Sequence, residues 1–314
     1  MLPDDRDALL LLPALAGGGR LRAAEAGWLS RATLRSVDDA RDAIDRVLGC
    51  LGLSAPADGR AALRLWGQTG TRPQKWLALA EPVTLELRLN DLFVHGPSHT
   101  GLSPAEIAQL FEHLAGHLGN ESGITLLHEE GSLYIQTTEP LQTHALSAER
   151  AGRQSMRSMS EQRSAQDSLM TEVEMLLHSA SVNNAREMRG QSPINSLWLS
   201  GGGQAPPPSA RNLPLLIGDD PQLRGYWLSC GASTKTWSAD PATLAEHCSG
   251  GFVAVAPPGT DAAALLAQVR ELQRRRELRR IDLLFRDGVH VEVRPAHRFR
   301  FWRNRRQPLG ITGQ

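Results

Sequence analysis

The sequence predicts an α/β fold, a mixed sheet flanked by helices. Two observations carry that prediction. Short apolar runs at 8–16, 213–217, 252–256 and 281–285 have the length of buried strands. Amphipathic stretches with helical spacing recur around them, at 37–51, 103–118, 169–177 and 261–278. Helices that alternate with strands favour α/β over a sandwich or a bundle.

Taken in order, Ala8 to Ala16 is the first strand, stopped by Gly17-Gly18-Gly19. Val37, Ala40, Ile44, Val47, Leu48 and Leu51 then line one helical face, with Asp38, Asp39, Arg41 and Asp42 outside it. Leu77 to Leu89 reads as a strand, because apolar side chains fall at every second position from Val83 to Leu89 and Asn90-Asp91 supplies a turn. Ser103-Pro104-Ala105-Glu106 opens a helix: serine caps, proline takes the first position, and glutamate closes a capping box. That helix runs to Leu118 with Ile107, Leu110, Phe111 and Leu114 inward. Ile124–Leu127 and Leu133–Gln136 are short strands about Glu130-Gly131. From Ser147 to Ser168 core-forming residues nearly vanish, which predicts a solvated loop that orders poorly. Periodicity returns at Leu169–Leu177. Strands are expected at Leu213–Ile217, Gly225–Ser229, Phe252–Ala256 and Ile281–Phe285, with a helix over Asp261–Leu278.

The length of 314 residues suits one large domain or two modest ones. The sharpest break is Gly201-Gly202-Gly203-Gln204-Ala205-Pro206-Pro207-Pro208, where permissive glycines meet stiff prolines. It divides an expected α/β region at 1–200 from a second at 209–314, with 201–208 as linker. The 34 basic and 34 acidic side chains cancel, so no whole-protein field draws the chain to nucleic acid or membrane. Mean hydropathy is −0.29. The run Ala8–Ala16 falls short of the ~20 residues of a spanning helix. Asp4, Asp5 and Asp7 take the place of a basic leader region, so a cytoplasmic protein is expected. Cys50, Cys230 and Cys248 are too far apart for a CxxC zinc site and odd in number, against a disulfide scaffold.

Motifs of catalysis are sparse. His113 and His117 have the spacing of two zinc ligands on a helix, but Leu114, Ala115 and Gly116 lie between them where a zincin needs its glutamate. No Walker loop, no GxSxG elbow and no GxGxxG after a strand occurs. The 270–306 stretch holds 13 arginines against five acids, with Phe299, Phe301 and Trp302 interleaved, a pattern able to hold phosphates or stack on bases. Asn183, Arg186 and Asn195 are fixed-geometry donors suited to an anionic, hydroxylated ligand, and arginine grips a carboxylate or phosphate with two parallel bonds. The alternative is that the asparagines cap turns and Arg186 makes an internal ion pair. Gly201, Gly202 and Gly203 offer backbone N–H groups to a phosphate, or act as a flexible joint.

The segment Val182-Asn183-Asn184-Ala185-Arg186-Glu187-Met188-Arg189-Gly190, followed by Pro193-Ile194-Asn195-Ser196-Leu197-Trp198-Leu199-Ser200-Gly201-Gly202-Gly203, resembles the RpfE-type regulatory proteins of proteobacteria. These are often described as cofactor-independent phosphoglycerate mutase-like. Leu9–Pro13, Trp76 through Leu85, and Phe301-Trp302-Arg303 through Pro308-Leu309 look like further counterparts of that family's motifs. The histidine of the family's Asp-Pro-Val-His element is replaced, since the chain reads Glu81-Pro82-Val83-Thr84. The usual proline-glycine pattern is missing from 155–168.

The central segment is also similar to archaeal-type cofactor-independent phosphoglycerate mutases of the alkaline-phosphatase-like superfamily. The resemblance implies their fold in degenerate form. In those enzymes a two-metal site with a Ser or Thr nucleophile transfers the phosphoryl group. Their first metal-binding aspartate follows the opening strand, where this chain has Pro13-Ala14-Leu15-Ala16. Asp240 with His247, and Asp287 with His290, are scattered pairs. The expectation is a non-catalytic regulatory or ligand-binding protein with no assigned catalytic residue, metal ligand or cofactor. Asn183, Arg186, Asn195 and Gly201–Gly203 would form its pocket for a small phosphorylated or carboxylated metabolite. A protein partner fits a regulator. An active phosphotransferase with unrecognised metal ligands, and a nucleic-acid binder using the basic C-terminus, are the competing readings; no membrane partner is expected.

Overall fold

The computed structural model describes residues 6–14, 23–37, 41–88, 91–118, 123–152, 166–238, 242–300 and 302. The chain opens with β1 (Asp7–Leu12), α1 (Ala23–Leu29), β2 (Thr33–Val37) and α2 (Ala43–Cys50). β1 ends before Pro13, which has no N–H for a ladder, so the strand is shorter than the expected 8–16. Val37, expected to open a helix, closes a strand instead, and 38–40 lie outside the described residues.

Then come α3 (Arg60–Thr69), β3 (Trp76–Arg88), β4 (Asp91–His95), α4 (Pro97–Thr100) and α5 (Pro104–Leu118). The capping box at Ser103 forms as the sequence predicts: Glu106 Oε2 accepts from both the Ser103 N–H and its hydroxyl at 2.8 Å, and Ser103 Oγ accepts from Glu106 N at 3.3 Å. β5 (Ile124–Glu129) and β6 (Ser132–Thr137) make a hairpin whose two turn residues, Glu130 and Gly131, have φ of 45° and 74°. Both positive values give the turn whose twist matches its flanking strands. Next are α6 (Ala148–Ala151), α7 (Gln166–His178), α8 (Ser181–Met188) and β7 (Ser196–Gly203). The expected loop at 147–168 thus contains a short helix, and its 153–165 portion lies outside the described residues.

The chain closes with β8 (Leu215–Gly218), α9 (Pro221–Ser229), β9 (Thr234–Lys235), α10 (Ala242–Ala245), β10 (Phe252–Val255), α11 (Ala262–Arg274), β11 (Arg280–Phe285) and β12 (Val289–Val293). Gly225–Ser229, expected as a strand, is helical. Asp220 caps α9 by accepting from Leu223 N at 3.0 Å, and Pro221 takes the first helical position. These start signals outrank the aromatic run Tyr226-Trp227-Leu228.

The chain divides into two compact units, Met1–Ala55 with Pro208–Gln314, and Pro56–Pro207. One crossing between them falls within the proline run, at Pro207-Pro208. The other falls at Ala55-Pro56, so the 1–200 region contributes to both units. In the first unit a seven-stranded sheet runs β2-β12-β11-β1-β10-β8-β9. β11, β1, β10, β8 and β9 are parallel; β12 runs antiparallel to β11, and β2 antiparallel to β12. One of its faces packs Leu10, Leu12, Phe252, Ile281, Leu283 and Phe285 against Leu29, Leu266 and Val269 of α1 and α11. In the second unit the sheet runs β4-β3-β6-β5, and β7 also pairs with β3. There Ala78, Leu133, Ile135, Leu197 and Leu199 pack against Leu110 and Leu114 of α5 and Val173 of α7. Among the described residues, no helix is long and apolar enough to cross a membrane.

Candidate functional site

The resemblance segment folds within the second unit, and the structure brings its polar residues onto the protein's own backbone. Asn183 is buried. Its Nδ2 donates to the Leu177 and Ile194 carbonyls, both at 2.7 Å, while its Oδ1 accepts from Ile194 N at 2.8 Å. This ties α7, α8 and the approach to β7 together. Asn195 Oδ1 accepts from Leu85 N at 2.7 Å and its Nδ2 donates to Leu85 O at 2.9 Å, so the side chain extends the ladder of β3 by one rung.

Arg186 is 1% exposed. Its Nε donates to Ser192 O at 2.9 Å, one terminal nitrogen to Glu106 Oε1 at 3.1 Å, and the other to Thr100 O at 2.6 Å. Arg189 reaches the same Glu106 oxygen at 2.7 Å. Burial by itself raises the Glu106 pKa, but hydrogen bonds from Ser103 and the Arg186 guanidinium hold it below the ordinary carboxylate value. Asn183, Arg186 and Asn195 each direct their polar atoms at protein partners, because a buried guanidinium or amide must satisfy its donors locally.

The glycines of the segment end β7 rather than linking domains. Gly59 N donates to Gly202 O at 2.9 Å, and a Cβ on Gly203, whose φ is +142°, would stand 2.3 Å from Gly59 N. Gly203 is needed for that close approach of two backbone segments, whereas a Cβ on Gly202 would meet the Trp76 and Thr143 side chains. The remaining sequence candidates are also spent: His113 Nε2 lies 2.9 Å from Leu176 O, and His117 Nδ1 2.7 Å from His113 O.

In open α/β sheets, ligands gather at the carboxyl ends of parallel strands. In the first unit those ends carry Pro13 and Ala14 after β1, Asp219 and Asp220 after β8, and Arg286 and Asp287 after β11. Asp220 is the cap of α9, and both Asp219 carboxylate oxygens lie 3.3 Å from Trp237 N. Among the described residues, no three His, Cys, Asp or Glu side chains gather closely enough to hold a metal ion. These strand ends do not fit a two-metal centre.

A different feature stands at the opposite end of the same sheet. A cleft of about 970 Å³ lies at the amino ends of β1 and β11, and among the described residues no acidic side chain lines it. Arg6 and Arg279 enter it just before those two strands, and Arg31 follows α1. Arg270, Arg274 and Arg276 come from α11 and its C-terminal turn; Arg294 and Arg298 follow β12. Three of these eight guanidiniums have carboxylates of the first unit: Arg270 with Glu25, Arg274 with Glu271 and Arg294 with Glu292. Arg6, Arg31, Arg276, Arg279 and Arg298 have no acidic partner among the described residues. Trp28 forms part of the wall, its indole N–H donating to Gln273 at 2.8 Å, and Phe299 stands 60% exposed beside it.

The backbone at the cleft is also unusual. Among the described residues only Arg6, Glu130 and Arg276 are non-glycine residues with positive φ, and two of the three line the cleft, at 75° and 65°. Arg276 closes α11 in the way glycine commonly does, with its N–H on Gln273 O and the Glu277 N–H on Leu272 O, both at 3.0 Å. An arginine at such a position carries a backbone cost on the order of 1 kcal/mol.

The arginine-rich 270–306 stretch pointed here, but Arg6, Trp28 and Arg31 did not stand out. They are some 230 residues or more from α11 in sequence, and the Trp28–Gln273 bond spans 245 positions. The pairings of β1 with β10 and β11 and of β2 with β12 bring the two ends of the chain together.

No family model matches this sequence, and no curated protein matches it. Solved structures do. The PH0037 protein of Pyrococcus horikoshii aligns with a TM-score of 0.50 at 11% identity, over 94% of this chain and 88% of that one. The two share a mixed α/β fold. A cofactor-independent phosphoglycerate mutase from Thermoplasma acidophilum aligns with a TM-score of 0.44 at 12% identity, over 91% of this chain and 88% of that one. Identities this low speak to chain architecture alone.

Proposed function

We propose that this chain is a non-catalytic regulatory or ligand-binding protein on a degenerate phosphoglycerate mutase-like fold, of the RpfE type, and that it binds a phosphorylated or carboxylated anion. The observation that carries the reading is the cleft with eight arginines and, among the described residues, no acidic lining side chain. Five guanidiniums with no carboxylate partner among the described residues repel one another, and an anion removes that repulsion while accepting their hydrogen bonds. The reading moves the ligand from the Asn183–Arg186–Asn195 segment to this cleft. The non-catalytic part is supported by Pro13-Ala14 at the strand end where the resembling enzymes carry a metal-binding aspartate.

The test has two arms. Thermal shift of the full chain against tripolyphosphate and 3-phosphoglycerate should show stabilisation that rises with ligand concentration. It should be weakened in Arg279→Gln and retained in Arg189→Gln. No stabilisation by any anion overturns the binding role. Stoichiometric bound manganese or zinc together with mutase turnover overturns the non-catalytic role.

A further inference from the structure

We propose that the cleft takes a nucleoside di- or triphosphate, with its phosphates among the arginines and its base on an aromatic surface at the rim. The inference rests on the anion-binding reading above and narrows it to one ligand class. Three observations point the same way.

The first is size. Small-molecule sites span roughly 300–1,000 Å³, and the 970 Å³ cleft is at the upper end of that range. A three-carbon phosphorylated acid would leave most of it to water, whereas a base, a sugar and a chain of phosphates together match it. The second is charge. Arg6, Arg276 and Arg279 lack acidic partners among the described residues, and two of them hold left-handed backbone. A ligand answering all three must carry several negative charges close together, as a di- or triphosphate chain does. Arginine suits that chain better than lysine, since its planar fork matches pairs of phosphate oxygens.

The third is the aromatic rim. Phe299 lines the cleft with 60% of its surface exposed, and the Arg298 guanidinium lies 4.7 Å from its ring centroid. An exposed ring beside a dense cationic field does nothing for a purely inorganic anion. It offers a planar base a stacking surface, with the arginine adding a cation–π contribution.

Isothermal titration of the full chain, without magnesium, against ATP, ADP, tripolyphosphate and adenosine separates the contributions. ATP should bind at least about tenfold tighter than tripolyphosphate, the size of gain base stacking on one aromatic gives. Phe299→Ala should bring ATP down to the tripolyphosphate affinity while leaving tripolyphosphate binding unchanged. Arg279→Gln should weaken both. Phe299 is exposed, so its removal leaves the fold intact, and an unchanged melting temperature confirms this. Equal affinity for ATP and tripolyphosphate overturns the nucleotide inference and leaves the anion reading standing. Binding of a short single-stranded RNA with none of ATP overturns it in favour of a polymer. If no anion binds at all, both readings fall together.

Discussion

Replacing Arg186 with lysine separates a scaffold residue from a ligand-binding one. The guanidinium holds three acceptors at once, the Ser192 and Thr100 carbonyls and Glu106 Oε1. A lysine ammonium keeps the charge but sits at a single point, so it reaches one of those three directions well. Two of the three acceptors then lose their donor, at about 1–3 kcal/mol where the acceptor is the buried Thr100 carbonyl and less at the more exposed Ser192 and Glu106. Shrinking a side chain that is 1% exposed also leaves unfilled space. The expected loss is about 2–5 kcal/mol. For a unit the size of Pro56–Pro207, each kcal/mol moves the melting temperature by about 2–4 °C, so the variant should melt roughly 4–20 °C lower. The loss should be the same with and without tripolyphosphate or 3-phosphoglycerate. Urea denaturation gives the free energy independently through the midpoint. A variant within about 0.5 kcal/mol of wild type would refute the assignment of Arg186 as a buried three-way tie. A deficit that appears only with ligand present would return Arg186 to a binding role.

Four further outcomes follow from the same geometry. Trp198 is 2% exposed, donates to Leu146 O at 2.9 Å and stacks on His144 with ring centroids 3.6 Å apart, so Trp198→Ala should cost about 3–5 kcal/mol in urea melts. Desolvation raises the pKa values of the half-buried Glu106 and the buried Glu292, but hydrogen bonds from Ser103 and Arg186 to the first, and from Arg35 and Arg294 to the second, hold both low. Their contribution is therefore full above the unfolded carboxylate value of about 4.3 and is lost as pH falls through the lower folded values. Stability measured from pH 6 down to pH 2 should decline there, and less steeply in Glu106→Gln. Burial, with the Asp282 charge second, pushes the Cys50 thiol up to about 12, so iodoacetamide at pH 8 should label it far more slowly than a free thiol, read by mass spectrometry. Gly203→Ala places a Cβ 2.3 Å from Gly59 N at a φ of +142°, and circular dichroism should show a large loss of thermal stability.

Local signals in the sequence determined much of the architecture. Alternation from Val83 to Leu89 gave β3, the Ser103–Glu106 box gave the start of α5, and Glu130-Gly131 gave the β5–β6 turn. Each is legible because the pattern that drives it spans only a few residues. Gly225–Ser229 misled because an aromatic run has no period of its own, and the decisive Asp220-Pro221 start lies upstream. The burial of Trp198 could be read from the apolar run that holds it. The partners of Arg186 could not: Glu106 is 80 positions away and Thr100 86. A fork of donors shows what it can hold, but only the packing of α5 against α8 decides whether it holds a ligand or the protein itself. The same is true of the cleft. The arginines of 270–306 are visible in the sequence, whereas Arg6, Trp28 and Arg31 join them because β1 lies beside β11 and β2 beside β12 in the same sheet. Charge density is a property of composition; its convergence on one concave surface is a property of long-range strand order.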